Sequence, residues 1–387
     1  MTVPALLRRN IYIITFFCHL CLSLLAYFHS SFLFERGYTN QTIGLIFVGS
    51  YILALILILC IPFIVSKVGD RTAFSIGLLI TGLSFIAISL TTHSSPVLFL
   101  VPFAVGVATS TLVLIDIFLA TVSGDTHKTA GRRGLFISII HLAIISAQLL
   151  AMYLLVRGGF EELYLLSGIG ICLIALLSYV LLSKFRDAVY EIPDWRLIGK
   201  RLLQNKDLVY TFIIQFLLRG FYAMMVIFTP LYLLEYIGIP VEHMGYVFAF
   251  MLLPFVVLEI PIGKLEDEKW GEQEVLITGF ILVALTTATI SFITSSSLWV
   301  WALALFATRV GAALVDIGSE AYFFKHVHGS DSGEVSAYRA LGPLAFIAAP
   351  LLTVLLLFVV PLQYVFLVVA ALMLLGVIPA LRIQDSR

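Results

Sequence analysis

Charged side chains are scarce in this sequence, and that scarcity indicates the class of protein. They make up 12% of the 387 residues, about half the share of a typical soluble domain, whereas hydrophobic residues make up 61%. We therefore expect a polytopic membrane protein whose surroundings are a lipid bilayer. Lys plus Arg (23) balances Asp plus Glu (23), so net charge gives no indication of a nucleic-acid partner.

Cysteines and enzyme motifs are equally scarce. The four cysteines lie inside apolar runs, where they act as small hydrophobic residues and provide no disulfide framework. The sequence has no His-Glu-x-x-His, no Gly-x-Ser-x-Gly and no phosphate-binding Gly-Lys-Ser/Thr. These absences argue against an enzyme and against a primary pump with a nucleotide domain, and they indicate neither a metal nor a cofactor.

Long apolar runs dominate what is present. A helix needs about 20 apolar residues to cross a bilayer, because no water is available there to satisfy unpaired backbone groups. Twelve such runs are separated by polar residues, glycine and proline. They fall at residues 11–34, 43–65, 72–92, 97–121, 135–155, 163–182, 208–234, 244–263, 275–295, 298–323, 336–359 and 362–381.

One long polar interval, residues 183–207, divides these runs into two sets of six. The two halves match at a spacing of 200 residues: Leu114 to Ile117 corresponds to Leu314 to Ile317, with an Asp at the third position of each. A period this long indicates a duplicated bundle. We predict an all-α membrane protein with twelve transmembrane helices in two six-helix bundles, residues 1–182 and 208–387, related by pseudo-two-fold symmetry and joined by a cytoplasmic linker.

The distribution of basic residues predicts the orientation. Most Lys and Arg residues fall in loops on one side of the predicted topology, whereas the loops of the opposite side carry Arg36 and Arg157. By the positive-inside rule both termini and the linker are cytoplasmic, in an inner or plasma membrane. Within the linker, Trp195 and Ile198 share a helical face, which fits either a short helix on the inner leaflet or a simple solvated tether.

Two loops at matching places in the halves carry a sequence signature. The first, after span 2, ends in Lys67 to Arg71, with Asp70 before the arginine; the second, after span 8, contains Glu259, Pro261, Gly263 and Asp267. Together they resemble the loop signature of the major facilitator superfamily, although the first copy has Ser66 at the position of the family's acid.

The resemblance implies a secondary active transporter with alternating access and a small-molecule substrate. It also implies gating roles for Lys67, Asp70, Arg71, Glu259 and Asp267, which would latch the cytoplasmic side through charge-assisted contacts. The loops after spans 4 and 10 add further candidates for coupling or gating, namely Asp116, Asp316, Glu320 and Arg339. These charges either neutralise one another structurally or contact substrate.

Ionisable groups at mid-depth point to a substrate cavity, because a charge in the bilayer centre is costly and usually faces a cavity. Arg219 and Arg309 lie near the middle of spans 7 and 10, and spans 1, 4, 7 and 10 line the cavity in the family that this chain resembles. His19 of span 1 corresponds to Arg219 in the repeat, and Gln148 and Gln215 are also deep. Each Arg has an alternative role as a buried partner of an acid, and His19 as a packing hydrogen bond.

Three classes of function remain open. The first is a secondary transporter, expected to be a monomer, that moves an anionic organic solute with proton coupling, because guanidinium groups bind carboxylates and phosphates in a bidentate manner. Within that class an exporter of drugs or metabolites is the alternative, although span 5 lacks the Gly-Pro run of many drug antiporters. The other classes are a lipid scramblase and a transporter-like sensor.

Overall fold

A computed structural model describes residues 3–123, 129–185, 199–200, 204–258, 261–262, 270–326 and 332–383. Every assigned element in these residues is a helix. The chain divides into two compact units, residues 1–192 and 193–387, each with its own core. An all-helical membrane protein is thereby confirmed, in agreement with the apolar composition.

The first unit contains six helices in the described residues. Its longest helix packs against both the first and the fourth, while the third packs against the fifth. They are α1 (Val3–Ala26), α2 (His29–Glu35), α3 (Asn40–Val68), α4 (Asp70–Ser89), α5 (Ser94–Ser123) and α6 (Thr129–Leu181).

The second unit contains eight helices in the described residues. Helix α7 packs against α11 and α12, and α11 also packs against α8 and α10. They are α7 (Lys206–Glu235), α8 (Val241–Met251), α9 (Leu253–Val257), α10 (Glu272–Ile290), α11 (Leu298–His326), α12 (Ser332–Leu356), α13 (Leu362–Leu375) and α14 (Val377–Ala380).

Ten helices in the described part of the chain are long and apolar enough to cross a membrane. One of them covers residues 135–181, where the sequence predicts two spans, and a shorter apolar helical segment, Val241–Val257, covers predicted span 8. The predicted first span is interrupted by a turn at Tyr27 and Phe28. The number of spans therefore stays a prediction, although each predicted apolar run is mainly helical where the structure describes it.

Two of these interruptions have a local cause. Gly159 has φ 64° and ψ −158°, a conformation that only glycine adopts without strain, and it breaks α6 where the sequence predicts a loop. Pro254 lacks an N–H group and restricts the residue before it, so the helix of span 8 ends at Met251 and resumes at Leu253.

Glycine also allows α10 and α11 to approach closely. A Cβ atom added to Gly279 would lie 2.9 Å from the carbonyl oxygen of Gly311, a distance that side chains do not tolerate. Small residues let the backbones of membrane helices approach closely. Close van der Waals packing then stabilises the helix pair, because the hydrophobic effect does not drive helices together in lipid. This crossing fixes one side of α11, the helix that carries Arg309 and Asp316.

Candidate functional site

Polar side chains of the second unit concentrate where α7 and α11 pack together. Gln215, Arg219 and Tyr222 follow one another at four- and three-residue steps on α7, so they lie on one face of that helix. That face contacts Asp316 and Ser319 of α11. The cluster lies near the middle of α7 and in the C-terminal half of α11.

Gln215 holds the guanidinium group of Arg219. With its amide nitrogen towards Ser319, Gln215 donates to the Ser319 hydroxyl at 3.1 Å, and its Oε1 accepts from Arg219 Nη2 at 2.8 Å and Nε at 3.0 Å. In the opposite amide orientation, the N–H groups of Gln215 would face the N–H groups of Arg219. Hydrogen bonds from a charged donor are roughly twice as strong as neutral ones, so Gln215 fixes the position of Arg219.

Asp316 is bound less tightly than Arg219. The Tyr222 hydroxyl donates to Asp316 Oδ2 at 3.3 Å, and Arg219 Nη2 lies 3.6 Å from Oδ1. Oδ1 is buried and has no hydrogen-bond donor among the described residues. The carboxylate is therefore an ion-pair partner of Arg219 with one of its oxygens left without a hydrogen bond.

Arg309 is the largest charged side chain in the core of the second unit. Only 1% of its surface is exposed, and its Nη1 atom has no hydrogen-bond partner in the described part of the chain. Its guanidinium carbon lies 5.2 Å from the ring centre of Phe221 and 5.7 Å from that of Tyr222. The aromatic rings stabilise the cation, and Nη1 keeps N–H donors that no described residue accepts.

The ionised groups of the cluster balance formally. Arg219 and Arg309 supply two positive charges, and Asp316 and Glu320 supply two negative ones. Glu320 acts electrostatically on Arg219 and has contacts of its own. A balanced set costs far less in a low-dielectric environment than isolated charges do, which explains how four ionisable side chains can lie in one membrane domain.

An apolar pocket lies on another face of α7. It has a volume of about 170 Å³ and is formed with α12 and α13. The hydroxyl of Thr353, a polar residue on its wall, already has Met224 Sδ and a backbone carbonyl as alternative acceptors. The pocket shares Phe221 with the polar cluster but offers no charged group, so it is not the site that the arginines indicate.

In the first unit, His19 and Asp116 occupy the positions equivalent to Arg219 and Asp316 in the 200-residue repeat. His19 Nδ1 donates to the carbonyl oxygen of Thr15 at 2.9 Å, which leaves Nε2 as the acceptor nitrogen. Asp116 is half-buried and within electrostatic range of His19. Each half therefore carries a basic residue and an acid at these positions, and in the first half the base is a histidine.

Gln148 is engaged in helix packing. It is fully buried, and its Nε2 donates to the backbone oxygen of Ser23 at 2.8 Å, which ties α6 to α1. Its Oε1 has no hydrogen-bond partner among the described residues. The sequence placed Gln148 with the cavity residues, whereas this contact supports a packing role.

The structure describes some of the predicted gating residues, and two of them lie over aromatic rings. Lys67 lies over the ring of Phe63 at 4.1 Å and Arg71 over that of Tyr179 at 4.3 Å. Asp70, the first residue of α4, is fully buried and has contacts. Glu259 and Asp267 lie outside the described residues, and Arg339 is half-buried beside Tyr338 on α12.

A further acid at the predicted inner end was missed at the level of sequence. Glu272 begins α10 as Asp70 begins α4, and its buried carboxylate lies 2.5 Å from Lys325 Nζ of α11. Both acids follow a glycine at the helix N-terminus, where the helix dipole favours negative charge. That shared position is the signal by which Glu272 can be found.

The sequence also missed Tyr222, which lies beside both arginines, and Ser319, which bonds Gln215. Tyr222 lies within 5.8 Å of Arg219 and 5.7 Å of Arg309, measured from its ring centre to each guanidinium carbon. Tyr222 and Ser319 each lie three residues after a predicted site residue, on the same helical face. A search for polar residues at helical spacing around Arg219 and Asp316 identifies both.

Comparison with known proteins gives a family and a fold. A family model described as Major Facilitator Superfamily matches residues 11–232 and 211–387. The crystal structure of the nucleoside transporter NupG superposes with a TM-score of 0.76 at 13% identity, covering 97% of this chain and 98% of that one. The structure of an NupG mutant gives 0.74 at 14% identity, covering 98% and 100%. A comparison with curated protein sequences finds no match.

Proposed function

The chain belongs to the major facilitator superfamily, and from that premise we propose that it is an alternating-access transporter of a small organic anion, coupled to protons. The observation that supports an anion is Arg309. A guanidinium group that is 99% buried and has an unpartnered Nη1 carries a desolvation cost that an anionic ligand would offset. A carboxylate suits such a group because it accepts two parallel N–H bonds.

The surroundings of Arg309 favour a solute with an apolar body. Phe221 and Tyr222 flank its guanidinium group, so a ligand bound there meets aromatic faces next to the charge. Arg219, fixed by Gln215, supplies a second positive charge beside the same Tyr222 ring. At 13% identity the similarity to NupG carries no argument for nucleosides as the substrate.

The proposal includes a topology. It has twelve spans, cytoplasmic termini, two bundles related by pseudo-two-fold symmetry and a monomeric assembly, supported by the loop charges and by the repeat. The break at Gly159 and the segment Val241–Val257 accommodate the two spans beyond the ten long helices. Single cysteines placed next to Arg36 and Lys67 should be labelled by an impermeant reagent from opposite sides of the membrane; labelling from one side would contradict this topology.

The binding experiment uses probes that share one ring and differ in charge. Thermal unfolding of the purified protein is measured with benzoate, benzenesulfonate, phenyl phosphate, benzyl alcohol and benzylamine. We expect one or more of the anions to raise the unfolding temperature, because ligands stabilise the state that they bind, and we expect no effect of the alcohol or the amine. Stabilisation by the amine alone would refute an anion site.

Arg309→Gln tests the residue itself. It should abolish anion stabilisation and uptake into proteoliposomes while leaving the folded yield largely unchanged. Arg157→Gln is the matched control, since Arg157 also lies over a tyrosine ring, that of Tyr153 at 4.5 Å, but on the surface. Loss of folding in Arg309→Gln alone would support a structural role for Arg309.

Binding without flux in the wild type would favour a sensor, and anion-independent lipid flipping would favour a scramblase.

A further inference from the structure

The two halves of the repeat differ in how they fill the space beside the first helix of each unit. In the first unit, Gln148 of α6 reaches the backbone of Ser23 on α1. At the spacing of 200 residues, Gln148 corresponds to Ala348 of α12, which has no side chain beyond Cβ, and Leu20 of α1 corresponds to Gly220 of α7. The second unit therefore has small residues where the first has large ones, and both Ala348 and Gly220 line the apolar pocket.

The apolar pocket is a crevice between three helices. Helix α7 packs against both α12 and α13, whereas α12 and α13 have few contacts with each other in the described residues. Three alanines of α12, Ala345, Ala348 and Ala349, recur at helical spacing on the face that lines the pocket. A Cβ atom added to Gly220 would lie 3.6 Å from Ala349, an ordinary contact distance. The facing surfaces of α7 and α12 therefore leave the crevice unfilled.

The mouth of the pocket lies on an exposed apolar face of α12. Ala348 and Leu352 line the pocket and are also exposed, so they form its rim. The same exposed face of α12 carries Leu344, Leu351 and Leu355. Helices α12 and α13 are both among those long and apolar enough to cross a membrane. The medium in front of the mouth is therefore the hydrocarbon of the bilayer.

The chemistry of the walls excludes water and ions as occupants. None of the described residues that line the pocket is charged. The hydroxyl of Thr353 already has its acceptors, whereas a buried water needs two to four polar partners. An apolar cavity of about 150 Å³ holds a benzene ring, so the 170 Å³ of this pocket has room for about six carbon atoms.

We propose that the pocket binds the end of an acyl chain of a membrane lipid, which enters from the bilayer between α12 and α13. An unfilled apolar space costs the atoms around it their van der Waals contacts, and a chain restores those contacts. The bilayer supplies such chains at the mouth at very high concentration. The site lies on a different face of α7 from Arg219, and this inference does not depend on the proposed function.

Photolabelling shows whether a chain enters. The full-length protein is placed in phosphatidylcholine nanodiscs in which a small share of the lipid carries a diazirine near the end of one acyl chain. Light converts the diazirine into a carbene that inserts into the nearest side chain, and mass spectrometry of peptides locates the product. Thr353 and Met373 line the pocket and are each 1% exposed, so a chain in bulk lipid does not reach them.

We expect label on Thr353 and Met373 above the level found on Leu305, a fully buried residue of α11 that does not line the pocket. Leu344, exposed on α12, reports contact with bulk lipid in the same sample. Label confined to exposed residues would overturn the proposal. So would label placed on Thr353 by a photoreactive benzoate but not by the lipid, because the pocket would then belong to the anion site.

Variants at the mouth test the route of entry. Ala348→Leu fills the rim, and we expect it to abolish the labelling of Thr353 and Met373 while that of Leu344 is unchanged. Ala371→Leu is the matched control, since Ala371 is an exposed alanine of α13 that does not line the pocket. If Ala348→Leu does not fold, Ala345→Val takes its place. Labelling that persists in the filled variant, or that is lost equally in Ala371→Leu, would refute chain entry at this mouth.

Discussion

Gln215 provides a test of how the charged side chains between α7 and α11 are held. Gln215→Leu removes two acceptor contacts to Arg219, at 2.8 and 3.0 Å, and one donor to Ser319. Hydrogen bonds to charged groups contribute about 1.5 to 3 kcal/mol each. Because about a third of the Arg219 side chain is exposed, water or a neighbouring acid replaces part of this loss. We therefore expect a destabilisation of about 2 kcal/mol.

Gln148 supplies the matched control. It is another buried glutamine, but it makes one described hydrogen bond, to a backbone carbonyl, and its Oε1 has no hydrogen-bond partner among the described residues. Gln148→Leu should cost about 1 kcal/mol or less, since a neutral bond is weaker and an unsatisfied oxygen is removed. A third variant, Gln215→Glu, restores an acceptor for Arg219 and should recover most of the stability.

The assay is unfolding in mixed micelles, titrated with a denaturing detergent and followed by tryptophan fluorescence. The informative quantity is the difference between the two leucine variants, which removes effects common to any buried glutamine. We expect Gln215→Leu to be less stable than Gln148→Leu by about 1 to 2 kcal/mol. Equal free energies of unfolding, or a Gln215→Glu variant no better than Gln215→Leu, would refute the argument that Gln215 fixes Arg219.

Two further predictions concern the ends of the helices. Lys325→Ala should destabilise the second unit by about 1 to 3 kcal/mol, because it removes an ammonium group from the buried Glu272 carboxylate although Lys325 itself is half-exposed. A double-mutant cycle with Glu272→Gln should return a coupling energy, and additive costs would show that the pair contributes nothing. Gly159→Ala should cost about 1 to 3 kcal/mol, because its φ and ψ suit glycine alone. Gly49→Ala, within α3 where an added Cβ meets nothing within 4 Å, is the control and should be neutral or stabilising.

The sequence by itself determined the membrane class, the positions of the apolar helices and the family. Each follows from a property that needs no tertiary contact: twenty apolar residues can satisfy their backbone in lipid only as a helix, and two loop signatures at matching places in a repeat are specific. The family assignment was confirmed along almost the whole chain. The depth of Arg219 and Arg309 could also be counted from the ends of their helices.

The tertiary structure alone decided which polar groups meet. Helical spacing places Gln215 one turn before Arg219 on the same face of α7. The packing of α7 on α11 determines that Ser319 and Asp316 face them. Sequence treated Gln148 and Gln215 alike as deep amides, whereas one bonds a backbone carbonyl and the other a guanidinium group. The reason is geometric, because a helix fixes which side chains share a face while the rotation of each helix against its neighbours fixes which faces are opposed.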